Sequence, residues 1–202
     1  MKKFELTAEF VTNVFGKKLF RVKALVAFGN VEKGELGGFI EKEDNLSHDG
    51  NAWVSGDAQV YGDARVSGDA EVSGNAEVSG NARVSGNAWV SGNAQVYGNA
   101  RVSDSAEVYG DALVSGNARV YGNADYATVK GFGRFFRATT FFRCKDKILR
   151  VQCGCFYGDL EQFREIVKKT HGDSKRAKEY LAIADLMELH FSDEEENQEA
   201  DE

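Results

Sequence analysis

The sequence predicts a mainly β fold built around a narrow solenoid of six-residue repeats, and three observations carry that prediction. From Gly50 the motif Gly-Asn/Asp-Ala-x-Val-Ser/Tyr recurs every six residues for thirteen copies, the tenth opening with Asp104-Ser105 in place of Gly-Asn and the last being Gly122 to Ala127 with Tyr126 in place of valine. Valine fills twelve consecutive sites from Val54 to Val120, and alanine fills thirteen from Ala52 to Ala124. The repeat contains no proline. Six residues is not a multiple of the helical repeat, so a helix would turn the valines around its axis, and the Gly-Asn or Gly-Asp pair of nearly every repeat would break it. Short strands joined by tight turns fit instead. In Trp53-Val54-Ser55 the valine points one way and its neighbours the other, while Gly56-Asp57 are residue types suited to a left-handed corner.

Taken in order, residues 1–49 read as a small N-terminal β cap and lead-in coil. Leu19 to Val26 alternates like a strand, Val14 to Lys18 offers a turn ahead of it, and Gly37 to Leu46 looks like a degenerate first coil that closes an open edge. Residues 50–127 are the solenoid. Residues 128–192 read as a ββαα unit: a hairpin around Lys145-Asp146-Lys147, then a helix capped by Asp159 with Gln162 and ended at Gly172, then a second helix from about Ser174. Residues 193–202 form an acidic tail that is expected to be disordered, having too little apolar content to offset its ordering entropy.

If three hexads make one coil, residues eighteen apart stack in columns. One face then shows Trp53, Glu71, Trp89 and Glu107, and another shows Gln59, Glu77, Gln95 and Leu113. The third shows an unbroken arginine column, Arg65, Arg83, Arg101 and Arg119, flanked by Ser67, Ser85, Ser103 and Tyr121. Stacked guanidinium groups about 5 Å apart repel by roughly 1 kcal/mol per pair in water and about 3 kcal/mol at an effective dielectric of 20. Such a column is tolerable in solvent and costly if buried unpaired. Residues 50–85 and 86–121 agree at 28 of 36 positions, which indicates that two coils were duplicated as a block.

The repeat resembles the left-handed parallel β-helix of the hexapeptide-repeat superfamily, in which three hexads make one triangular coil. The Gly37-Gly38-Phe39-Ile40 lead-in, the long tract and the Cys153-Gly-Cys155-Phe-Tyr-Gly end together resemble small phage or prophage-encoded proteins. That second resemblance implies a bacterial or phage setting. Members of the superfamily are often trimeric acyltransferases that use a histidine base at a coil, but the coils here contain no histidine. His48 stands at the solenoid entrance, and His171 and His190 stand near helix ends. The superfamily's zinc-binding histidine arrangement is not matched.

The net charge is −7, distributed as 0 over residues 1–49, −5 over 50–127, +5 over 128–192 and −7 over 193–202. No stretch approaches the roughly 18 apolar residues of a membrane span, and the polar start, Met1-Lys2-Lys3-Phe4-Glu5, lacks a signal-peptide core. A cytoplasmic location is the expectation. Cys144, Cys153 and Cys155 are expected to be inert thiols on one core face of the hairpin, with no metal site and no cofactor. The other hairpin face carries Phe135, Arg137, Phe141 and Arg143, which interleave aromatics and arginines as single-strand nucleic-acid platforms do. The acidic balance of the chain disfavours that use.

These residues point to a non-enzymatic binding or scaffold protein. Arg65, Arg83, Arg101, Arg119, Arg137 and Arg143 are the candidate contacts to a partner protein or to an anionic small molecule such as a nucleotide. Trp53 and Trp89 are candidate oligomer contacts, with a trimer expected before a dimer. In a phage setting an inhibitor of host defence fits. The rival readings are a hexapeptide-repeat acyltransferase with a divergent active site and a scaffold with no ligand of its own.

Overall fold

The computed structural model describes residues 2–192; the acidic stretch 193–202 lies outside the described residues. The fold is mainly β, a parallel β-solenoid with a small antiparallel cap before it and a sheet with two helices after it. Twelve two-residue strands, β4 (Trp53–Val54) to β15 (Arg119–Val120), recur every six residues and stack in register eighteen apart. They form three flat sides around one core. All twelve valines and the alanines from Ala52 to Ala118 are buried. The corners turn on left-handed residues, for example Gly80 at φ +66°, where an added Cβ would sit 3.1 Å from the Gly98 nitrogen of the next coil. Asparagine ladders run up two corners: Asn75 donates to Asn93 at 3.3 Å, which donates to Asp111 at 3.2 Å, and Asn81, Asn99 and Asn117 repeat the pattern.

A parallel stack has a polarity, and this one is closed accordingly. Three N–H groups of each repeat donate to the following coil, as Trp53 does to Ala70 O at 3.0 Å, Ser55 to Val72 O at 2.9 Å and Asp57 to Gly74 O at 2.9 Å, while alanine N–H groups such as that of Ala58 close the corner within their own coil. The first coil therefore presents bare carbonyls and the last coil bare N–H groups, and buried ones must find partners. At the N-terminal end the partners are donors. β1 (Phe4–Thr12) and β2 (Lys18–Ala24) make a hairpin, and β2 pairs with β3 (Leu36–Ile40), which lies parallel on β5 (Gln59–Val60). The Phe39 N–H reaches Ala58 O at 2.9 Å and the Ser47 N–H reaches Val66 O at 2.9 Å. Side chains supply the rest: Lys3 Nζ donates to Ala52 O at 2.8 Å and Gly50 O at 3.2 Å, and Asn45 Nδ2 donates to Ala64 O at 2.8 Å and Gly62 O at 3.1 Å.

The segment from β3 to Leu46 lies parallel on the first repeat coil, with one irregularity. Ile40 pairs with Val60 and Leu46 with Val66, twenty residues apart rather than eighteen, because the corner between Leu46 and Val54 holds two extra residues.

At the C-terminal end the partners are acceptors: Asn123 Oδ1 takes the Glu107 N–H at 2.8 Å, Thr140 Oγ1 that of Leu113 at 2.9 Å, and Asp125 Oδ2 that of Tyr121 at 2.8 Å. The thirteenth repeat does not continue the coil. Asp125 folds Asn123–Asp125 into a 3-10 turn, Ala124 is exposed, and Tyr126 begins an antiparallel strand. The C-terminal unit has four strands, β16 (Tyr126–Val129), β17 (Thr139–Arg143), β18 (Leu149–Cys153) and β19 (Phe156–Asp159), two more than the expected hairpin.

α1 (Leu160–His171) begins with the expected Asp159 and Gln162 capping box and ends at Gly172, φ +55°. α2 (Lys175–His190) begins at Ser174. Both faces of β17 are buried. Phe142 lies in the solenoid core and Phe141 stacks edge-on against Phe163 of α1, centroids 6.0 Å apart. Among the described residues no helix is long and apolar enough to cross a membrane.

Candidate functional site

The four predicted arginines lie on one side of the solenoid, cross-strand neighbours in the order Arg65, Arg83, Arg101, Arg119. Each points out because the valine that follows it points in. No ion pair or hydrogen bond engages their side chains among the described residues, and the Nη1 of Arg119 is buried without a partner. The column forms the floor of a groove of about 640 Å³, lined by Arg65, Arg83 and Arg101 with the serines beside them. A second recess of about 660 Å³ shares Arg101 and Tyr121 with the first and adds Arg119, Arg143, Lys145 and Lys147.

This face is dipolar. Glu43, Asp44 and Asp49 stand at its N-terminal end, Lys145 and Lys147 at the other, with Asp125 the acidic residue in the basic recess. The hairpin turn reaches the face because Cys144 bridges to Ala118 while Phe142 anchors β17 in the solenoid end. Nothing in the Lys145-Asp146-Lys147 turn itself announced that placement. Arg143 joins the recess, but its Nη2 donates to Phe191 O at 2.8 Å and its guanidinium lies 5.8 Å from the Phe191 ring.

Other predicted residues are placed differently. Arg137 is on the far side of β17, stacked 5.0 Å over Phe135. Phe141 is buried and Arg143 is held at the end of α2, so the four hairpin residues do not make a shared stacking platform.

Trp53 is 4% exposed, packed edge-on against Phe28 at 5.4 Å, and so anchors the N-terminal cap instead of facing a partner. Trp89, the same position one block later, has no cap over it; it is 46% exposed and donates to Ser73 Oγ at 3.0 Å. The three thiols do not share a face either: Cys144 abuts the solenoid, Cys153 lies toward the helices and Cys155 is exposed. Cross-strand pairing of Thr139 with Cys153 puts that thiol on the Phe141 side of the sheet, opposite Phe142 and Cys144. Burial pushes the Cys144 thiol up from its ordinary value.

His48 serves the cap. Its Nδ1 accepts the Lys3 N–H at 3.2 Å, its ring stacks on Phe4 at 4.3 Å, and Nε2 faces Glu43 at 3.7 Å.

Four stretches of the chain, 58–74, 76–92, 94–110 and 106–122, match the YdcK Beta solenoid repeat, each nearly one coil long. None of the curated proteins compared with the chain matches it. With the stacked coils, the repeat matches make the chain a β-solenoid repeat protein.

Proposed function

We propose that this β-solenoid repeat protein is a non-enzymatic binding protein whose arginine face receives a charged segment of a partner protein. The observation that carries the reading is the register of four outward guanidinium groups without ion pairs among the described residues, one with a buried, unpartnered nitrogen. Unpaired outward guanidinium groups offer planar forks that a carboxylate can meet bidentately. From first to last arginine the column spans three rungs, about 14 Å. A polyanion laid along the groove would run into Glu43, Asp44 and Asp49, whereas a protein segment carrying both signs complements both ends. The −7 net charge opposes nucleic acid in the same sense.

An inhibitor of a host defence factor, acting in the cytoplasm of a bacterial host, is the use that the phage resemblance supports. The test compares the unmodified protein with Arg83→Glu/Arg101→Glu, both tagged and recovered from the bacterial host, by quantitative mass spectrometry of what co-purifies. We expect a partner depleted about tenfold or more in the variant, with its fold retained because both side chains point away from the valine core. A partner held equally by both proteins would assign the column to solvent.

A further inference from the structure

A separate recess lies in the C-terminal unit, on the far side of β17 from the arginine face. It is a cavity of about 550 Å³, within the range of roughly 300–1,000 Å³ typical of small-ligand sites. Its walls come from the loop before β17, the turn between β18 and β19, α1 and α2. The floor is apolar: Phe156, Phe163, Ile166, Val167 and Tyr180. Three arginines, Arg134, Arg137 and Arg176, stand with His171 along the rim, and no carboxylate is among the lining residues.

None of the three arginines has an ion pair among the described residues; Arg134 and Arg137 instead lie over the Phe135 ring at 5.3 and 5.0 Å. The loop wall is seated against α2, since a Cβ on Gly133 would come within 2.0 Å of the Tyr180 hydroxyl. Ile166 of α1 is 37% exposed and faces this space.

We propose that this cavity binds a small amphipathic anion, a hydrocarbon body ending in a carboxylate. The rim supplies guanidinium forks that match a carboxylate, and the floor supplies apolar surface. The hydrogen-bonding groups of the lining side chains, apart from its arginines, are the His171 ring, the Thr170 and Tyr180 hydroxyls and the thiols of Cys153 and Cys155. Besides cations and thiols these groups are few, and each polar edge of a nucleobase or sugar left buried without a partner would cost about 1–3 kcal/mol. A hydrocarbon has no such edges.

Titration calorimetry on the full chain tests the assignment with three probes of equal length: decanoate, decanol and decyltrimethylammonium. Decanoate should bind saturably at one molecule per chain, decanol about tenfold or more weaker, and the cation not measurably. Arg137→Ala/Arg176→Ala should weaken decanoate about tenfold and leave decanol unchanged. Ile166→Glu, on an exposed helical position, should abolish decanoate binding with the circular dichroism unaltered. Arg83→Glu/Arg101→Glu should bind decanoate as the unmodified protein does, which separates this site from the solenoid face. The assignment fails if decanoate does not bind, if decanoate and decanol bind alike, if Ile166→Glu binds normally, or if a nucleoside monophosphate displaces decanoate at equal concentration.

Discussion

At the scale of single residues, Lys3 shows how much one side chain does at the end of a repeat protein. Its ammonium lies 4.6 Å from the Phe28 ring and satisfies two carbonyls of the first coil that no strand reaches. Lys3→Met leaves both carbonyls unpaired and should lower stability at neutral pH by about 1–3 kcal/mol. Burial also pushes the Lys3 ammonium down from 10.5 to about 8. Between those values the unfolded chain holds more protons than the folded one, so this group's contribution to stability rises with pH across that window. The difference in urea midpoint between the unmodified protein and Lys3→Met should therefore widen from pH 7 to pH 10. A constant difference would show that the ammonium is not desolvated. Nothing in the position of Lys3, two residues after Met1, marks it as buried; only the fold of the hairpin over the first coil does that.

At the scale of the element, the coil corner sets the tolerance of the solenoid to substitution. Gly80 and Gly110 share a left-handed backbone, φ +66° and +69°, and alanine at either should cost about 1–2 kcal/mol for that conformation alone. They differ in what lies beneath. The next coil is 3.1 Å from a Cβ at Gly80, while nothing lies within 4 Å at Gly110. Gly80→Ala should consequently unfold at a lower temperature than Gly110→Ala, and equal midpoints would refute the close-stacking account. Asp104 takes the corner position at φ +57°, in keeping with the ability of aspartate to adopt that region without a glycine. All of this was legible in the hexad pattern. The caps were less so: β16 and β19 are too short and irregular in pattern to separate from turns, and their strand character comes from pairing with neighbours already in place.

For the whole molecule, one-dimensional stacking separates stability from surface pattern. Deleting residues 86–103, one complete coil, keeps every column in line and should leave a cooperative fold with a shorter arginine face. Deleting only 86–91 keeps the valine core but advances all later strands by one side, moving Arg101 and Arg119 onto the face of Gln59 and Glu77. The six-residue deletion should fold, as judged by circular dichroism, and lose the partner that the eighteen-residue deletion still holds. Retention of that partner by the six-residue deletion would show that a continuous arginine column is not what binds. Self-association through Trp89 is a further expectation of the proposal, with a trimer ahead of a dimer. Light scattering near the 22.2 kDa chain mass at micromolar concentration would remove it.

The amino-acid sequence alone determined the solenoid and its inward valines, because a period of six repeated twelve times suits short strands joined by corners; three sides per coil came with the resemblance and are shown by strands pairing eighteen residues apart. It also determined the arginine column, since register follows from period when no insertion intervenes. Only the tertiary structure decided which outward residues stay outward. Trp53 and Trp89 occupy the same repeat position, yet one is covered by Phe28 and the other is left in solvent. Lys145 and Lys147 extend the basic face through the docking of β17 on the last coil, and Arg137 leaves it for the helical side. Those outcomes depend on contacts between segments distant in the chain. Repetition encodes the neighbours within a column, and the non-repeating ends are placed by what they pack against.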